Sequence, residues 1–157
     1  MKYYGTYSCG HSGEIDIIGP TKDRGWKQER EFEKLCPECR ALRRKKMNDE
    51  ENKKAMDASI EKGLPILSGS EKQIAWATTI RYKFVDMILS NPNTVVMVGY
   101  AYVLTEQWKK AFNSIVAEET EASFWINNRN VSKMYECIWE KWKNIYPDYF
   151  EKYVKQK

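Results

Sequence analysis

Apolar and polar positions along this chain follow two different periods. At the N-terminus, KYYGTYSC (2–9) and EIDII (14–18) are rich in β-branched and aromatic residues, with Gly10, Ser12 and Gly13 between them. That pattern predicts a β-hairpin, closed by Gly19-Pro20. From Lys22 to Leu35, Trp26, Phe32 and Leu35 recur at loose helical spacing and predict a short helix. The stretch 40–63 has strong helix formers but few apolar residues: Leu42, Met47, Ala55, Met56 and Ile60. Such a helix bridges two parts in solvent or lies against a partner. Gly63 and Pro65 stop it.

Ser70 and Gln73 form a capping box that opens the next helix, within 68–91. Its apolar positions are Ile74, Ala77, Ile80 or Arg81, Phe84 and Ile88. Trp76 and Ile80 are expected in the core; the competing reading is a recognition face with Lys72, Gln73 and Arg81 outward. After the break at Asn91-Pro92-Asn93, a helix is predicted over much of Val96 to Ala117. Another runs from Val131 to Ile145, with Met134, Ile138, Trp142 and Ile145 in one stripe, and Pro147 interrupts it before a tail, Asp148 to Lys157. The fold class is therefore α+β: a small N-terminal zinc-binding β-hairpin module followed by a mainly α-helical bundle. The expected divisions are a module over 1–46, a helical connector over 47–66 and a bundle over 67–157.

Among these elements Cys9, His11, Cys36 and Cys39 carry the chemistry. A C-x-H pair, 24 intervening residues and a C-P-E-C knuckle use the only histidine and three of the four cysteines. Thiolate and neutral imidazole are what a tetrahedral zinc ion takes, and Cys₃His is a common closed, structural set. One structural Zn²⁺ is expected, with the first pair in the hairpin turn and the second opening the long helix. A module this small rarely holds together on its core alone, so the metal supplies stability. Cys137 reads as a small buried hydrophobe.

Length and composition narrow the classes. The 157 residues are 42% apolar and 13% aromatic, enough for a core. Net charge is +4, and segment 22–54 alone holds 12 Lys and Arg against 8 Asp and Glu, so the rest is near neutral. No stretch approaches 18 apolar residues; TVVMVGYAYVL (94–104) is the longest and reads as core, so no membrane association is expected. MKYYGTYSCG lacks the apolar stretch of a signal peptide. Cysteines arranged for metal, without an export signal, point to the cytoplasm.

Partner contacts are expected at Arg40, Arg43, Arg44, Lys45 and Lys46, five cations in seven positions after the knuckle, and at Trp139, Tyr146 and Tyr149 in an aromatic-rich end too dense for one helix face. The basic run could meet phosphates, or could be a solvated face with pairs such as Glu50–Lys54. In FWINNR, Trp125 and Ile126 are expected to pack and Asn127, Asn128 and Arg129 to satisfy a turn. Enzyme chemistry has little support. With His11 given to metal no histidine remains for general-base work, and no phosphate-loop, nucleophile-elbow or metalloprotease motif occurs. Glu14 stands three residues after His11, which fails the deaminase pattern.

Three segments in order, YGTYSCGHSGEIDIIGPTKDRGWKQEREFEKLCPECR, LPILSGSEKQIAWATTIR and EASFWINNR, resemble a family of small, uncharacterised zinc-ribbon-like proteins carried by phages and mobile elements of Gram-positive bacteria. The resemblance implies zinc ligation by Cys9, His11, Cys36 and Cys39. It marks Gln73, Trp76, Arg81, Trp125, Asn128 and Arg129 as motif positions without assigning them chemistry. Some small proteins of such elements are anti-CRISPR inhibitors that bind a host effector nuclease. The expected function is thus a non-enzymatic protein-binding module that inhibits a host defence machine, its partner a host protein or ribonucleoprotein complex. The alternative is a DNA- or RNA-binding zinc protein using the run 40–46.

Overall fold

A computed structural model describes residues 1–93, 95–98 and 101–153. The chain divides into two compact units, Met1–Glu50 and Glu51–Lys157.

In the first unit, β1 (Lys2–Thr6) and β2 (Ser12–Asp16) pair antiparallel, Lys2 opposite Asp16 and Thr6 opposite Ser12. Gly5 and Gly13 face one another across the ladder. A Cβ on Gly5 would lie 2.7 Å from the Phe32 ring, and one on Gly13 would lie 2.7 Å from the Tyr7 ring. Glycine thus lets two aromatic rings lie against the strands, where they pack with centroids 5.1 Å apart. A short 3-10 turn (Thr21–Asp23) leads into α1 (Arg24–Phe32), whose last residue supplies one of those rings. The long helix α2 (Pro37–Glu61) follows, its last eleven residues belonging to the second unit. It is exposed from Arg40 to Glu51, as its sparse apolar positions require. It ends at Gly63, φ +62°, with Gly63 N–H donating to the Ile60 carbonyl and Leu64 N–H to that of Ser59, the paired bonds of a glycine C-cap.

In the second unit α3 (Glu71–Leu89) opens with the expected capping box: Gln73 N–H donates to Ser70 Oγ and Ser70 N–H to Gln73 Oε1. A hairpin follows, β3 (Val95–Val98) with β4 (Ala101–Leu104), and then α4 (Thr105–Glu118). The helix expected over Val96 to Ala117 is therefore a strand pair and a shorter helix; Gly99 and Tyr100 lie outside the described residues. The physical reason is alternation. Val96 and Val103 are buried while Val95, Met97, Tyr102 and Leu104 are exposed, a period of two that one apolar run conceals. Next come α5 (Ala122–Asn127), α6 (Val131–Ile145) and α7 (Pro147–Tyr153). Pro147 thus starts a helix in what was expected to be a tail; residues 154–157 lie outside the described ones. The core centres on Trp108, Phe112, Trp125, Met134, Ile138 and Trp142, each at most 1% exposed. The architecture is α+β, with two small hairpins among helices.

Candidate metal centre

Local backbone bonds bring the four candidate ligands together. In the hairpin turn, Tyr7 N–H donates to the His11 carbonyl at 2.9 Å and Gly10 N–H to that of Tyr7 at 2.8 Å. Gly10 takes φ +82°, a conformation glycine adopts without cost, and so Cys9 and His11 flank a tight bend. Ser8 N–H donates to the Lys34 carbonyl at 3.1 Å, which ties this turn to the segment before the knuckle.

The knuckle is a helix start. Pro37 holds the first position of α2, where its missing N–H costs nothing. Cys36 precedes it: Arg40 N–H donates to its carbonyl at 2.9 Å and Cys39 N–H to its Sγ at 3.3 Å. Sulfur here does the work of a serine N-cap. Cys36 N–H in turn donates to Cys9 Sγ at 3.3 Å.

His11 Nδ1 lies 3.5 Å from Cys36 Sγ and 3.4 Å from Cys39 Sγ. All four donor atoms fall within 4.8 Å of one another. A tetrahedron built on zinc–sulfur and zinc–nitrogen bonds has edges of about 3.5–3.8 Å, so the set is sized for one ion. The thiols also need a cation. Two backbone N–H groups, of Cys36 and then His11, lower Cys9 to about 6. Cys39 is raised to about 11, chiefly by the Cys36 sulfur, then by burial and Cys9. Sulfurs so crowded cannot all ionise without positive charge between them. Cys9, His11, Cys36 and Cys39 thus can hold a metal ion, and none of the four cysteines is in a disulfide.

The expected partner-binding residues divide into two groups. Arg40, Arg43, Arg44, Lys45 and Lys46 are exposed on α2, and neither they nor Glu50–Lys54 form an ion pair among the described residues. Trp139, Tyr146 and Tyr149 are half-buried and largely occupied with each other's neighbours. Trp139 stacks on Trp142 at 5.1 Å, Tyr146 lies tilted 6.0 Å from it, and Tyr149 meets it edge-on at 5.6 Å. Density of aromatics here serves a cluster around buried Trp142. Cys137 is also half-buried, and burial raises its thiol.

Five of the six positions marked by resemblance lie at or beside the contact between α3 and the α5 region. The Arg81 guanidinium lies 6.0 Å from the Trp125 ring centre, and the Arg129 guanidinium 5.8 Å from that of Trp76. Two reciprocal arginine–tryptophan contacts therefore join α3 to α5 and the turn after it. Trp125 Nε1 donates to the Glu119 carbonyl, Asn128 Nδ2 to that of Phe124, and Arg129 Nη1 to that of Ile126. Gln73 serves the capping box. One expectation for α3 is reversed here: Trp76 is 49% exposed, although Ile80 is buried as expected. Arg81, outward only in the competing reading, is 2% exposed and donates from Nη1 to the Pro65 carbonyl at 2.7 Å. Packing against Trp125 explains the exchange: Arg81 buries its long stem and planar head, and the Arg129 head covers Trp76 from outside.

Sequence reasoning missed two surfaces. Trp26, whose spacing with Phe32 and Leu35 predicted α1, is 52% exposed, and the hairpin face formed by Val95, Met97, Tyr102 and Leu104 lay within the run 94–104 that was expected to be core. Alternation within 95–98 and 101–104 was the available signal for the second. Compared with protein-family models, curated proteins and solved structures, the chain matches none of them. No helix among the described residues is long and apolar enough to cross a membrane.

Proposed function

We propose that this is a non-enzymatic, zinc-stabilised binding protein of phage or mobile-element origin. It works in the bacterial cytoplasm and docks on a host protein or ribonucleoprotein machine, such as a CRISPR effector nuclease, to block it. Four protein donors complete a tetrahedral zinc ion and leave no position for a substrate, which supports a structural metal. The observation that carries the protein-partner reading is the β3–β4 face. Val95 stands opposite Leu104 and Met97 opposite Tyr102, and these two apolar pairs are 42–64% exposed. An uncharged face that includes a methionine and a tyrosine has the composition of a protein interface.

The test is co-purification of the metal-loaded protein with guide-loaded effector nuclease at high salt after nuclease treatment, read together with target cleavage. Salt-tolerant association and lost cleavage are expected. A Met97→Asp, Tyr102→Asp variant should retain its fold and lose both. Association that survives those changes, or none with any host complex, would overturn the reading.

A further inference from the structure

We propose that the first unit carries a groove for a single-stranded polynucleotide, in which the Trp26 indole stacks on a base and Arg30 and Arg40 meet the flanking phosphates. This goes beyond the protein-partner reading, since it uses a different surface and a different class of ligand.

The groove lies where the end of β2 meets α1. Its volume is about 370 Å³, and its lining includes Ile18, Trp26, Lys27, Arg30, Glu31 and Lys34. Tyr7 and Phe32 fill the hairpin side of α1, and Trp26 is left outside that pair. Its described ring contact is the Lys27 ammonium, 5.7 Å from the centroid. Ile18 beside it is 86% exposed. A tryptophan left half-exposed in a shallow, cation-lined groove offers a flat face, and every nucleobase has a π-face to match it.

Charge in the groove is positive in excess. Glu31 is bridged by Lys34, and its carboxyl is held below the usual range by that hydrogen bond, then by the charges of Lys34, Arg40 and Arg30. One carboxylate therefore faces three cations. Asp16, the other acid in the lining, accepts from the terminal ammonium at 2.6 Å. Arg30 and Lys27 have no ion-pair partner among the described residues. Beyond the groove, Arg40, Arg43 and Arg44 follow at helical i, i+3 and i+4 spacing, so the positive track continues along one exposed face of α2. An acidic peptide would satisfy the cations but not use the indole face. A duplex would satisfy the cations but keep its bases stacked on one another. The combination selects an unpaired strand.

The experiment is fluorescence anisotropy of labelled 12-nucleotide oligo-dT and oligo-U with the full, metal-loaded chain across a salt series. Expected is binding at low salt by either strand and weaker binding by a duplex of equal length. Trp26→Ala should weaken binding about ten-fold or more, while Trp26→Phe keeps most of it. Arg30→Gln with Arg40→Gln should flatten the log–log salt slope by about 1.4, the share of two phosphates on a single strand. Unchanged circular dichroism and metal content certify each variant. Wild-type affinity in Trp26→Ala, no binding to either strand at low salt, or equal competition by polyglutamate would overturn the proposal.

Discussion

The two units are held together by different means. Of the buried apolar residues among those described, only Tyr7, Ile17 and Cys36 belong to the first unit. Its remaining order comes from a two-stranded ladder and a cluster of three thiols and one imidazole. The second unit buries three tryptophans at 0–1% exposure, with Phe112, Met134 and Ile138 packed among them. Where burial is scarce a bound ion must replace it; where aromatics are plentiful no ion is needed. The chain therefore carries two independent answers to the cost of ordering a backbone, and they should fail under different insults.

Metal removal should separate them most sharply. In small zinc domains the ion contributes on the order of 10 kcal/mol to folding, more than the first unit's few buried side chains can replace. Strong chelation should unfold residues 1–50 while the helices of the second unit persist, seen as partial loss of helical circular dichroism and selective proteolysis of the N-terminal part. Elemental analysis before chelation should find one zinc per chain. Acid should act in the same direction, because protons compete with the ion for Sγ and Nδ1, so the first unit weakens as pH falls. Unchanged dichroism and proteolysis after chelation would break the comparison.

The mirror experiment is Trp125→Ala. It removes a fully buried indole, its bond to the Glu119 carbonyl and the stack with Arg81, and leaves that guanidinium buried without its aromatic cover. A loss of about 3–5 kcal/mol in the second unit is expected from denaturant titration. Zinc stoichiometry should not move.

Much of this contrast was legible in the residues, for reasons that differ by region. Cys9, His11, Cys36 and Cys39 could be read because metal ligation admits few residue types at short spacings. The boundaries of α6 were readable because Met134, Ile138 and Trp142 repeat every four residues on one face. VVMV and AYVL were not, since a short apolar run fits a strand or a buried helix equally well until its partner is known. Trp76 was misplaced, and Arg81 left open, for a related cause. Their burial is decided by α5, more than forty residues on, and no local period carries that information.

A smaller change probes the hairpin itself. Gly13→Val would set a branched side chain against the Tyr7 ring, 2.7 Å from the new Cβ, and push that ring off Phe32. Overpacking of this kind costs about 1–3 kcal/mol. In a unit with so little core the effect should appear as weaker zinc retention against a competing chelator, with the second unit's melting unchanged.

The finest comparison lies between two helix starts. Ser70 caps α3 through its hydroxyl, and Cys36 stands in the same relation to α2 through its sulfur. Ser70→Ala deletes a cap and keeps everything else, so about 1 kcal/mol should be lost, read as a small fall in the second unit's denaturation midpoint. Cys36→Ser does the reverse: it keeps a capping oxygen and removes a metal ligand. If capping were the main task of Cys36, serine would be a mild substitute and the two variants would behave alike. If ligation is its main task, Cys36→Ser should reproduce chelation, with the first unit unfolded and zinc lost, while Ser70→Ala barely shifts the melt. Equal, small effects in both variants would mean that the first unit stands on its ladder and aromatic pair alone.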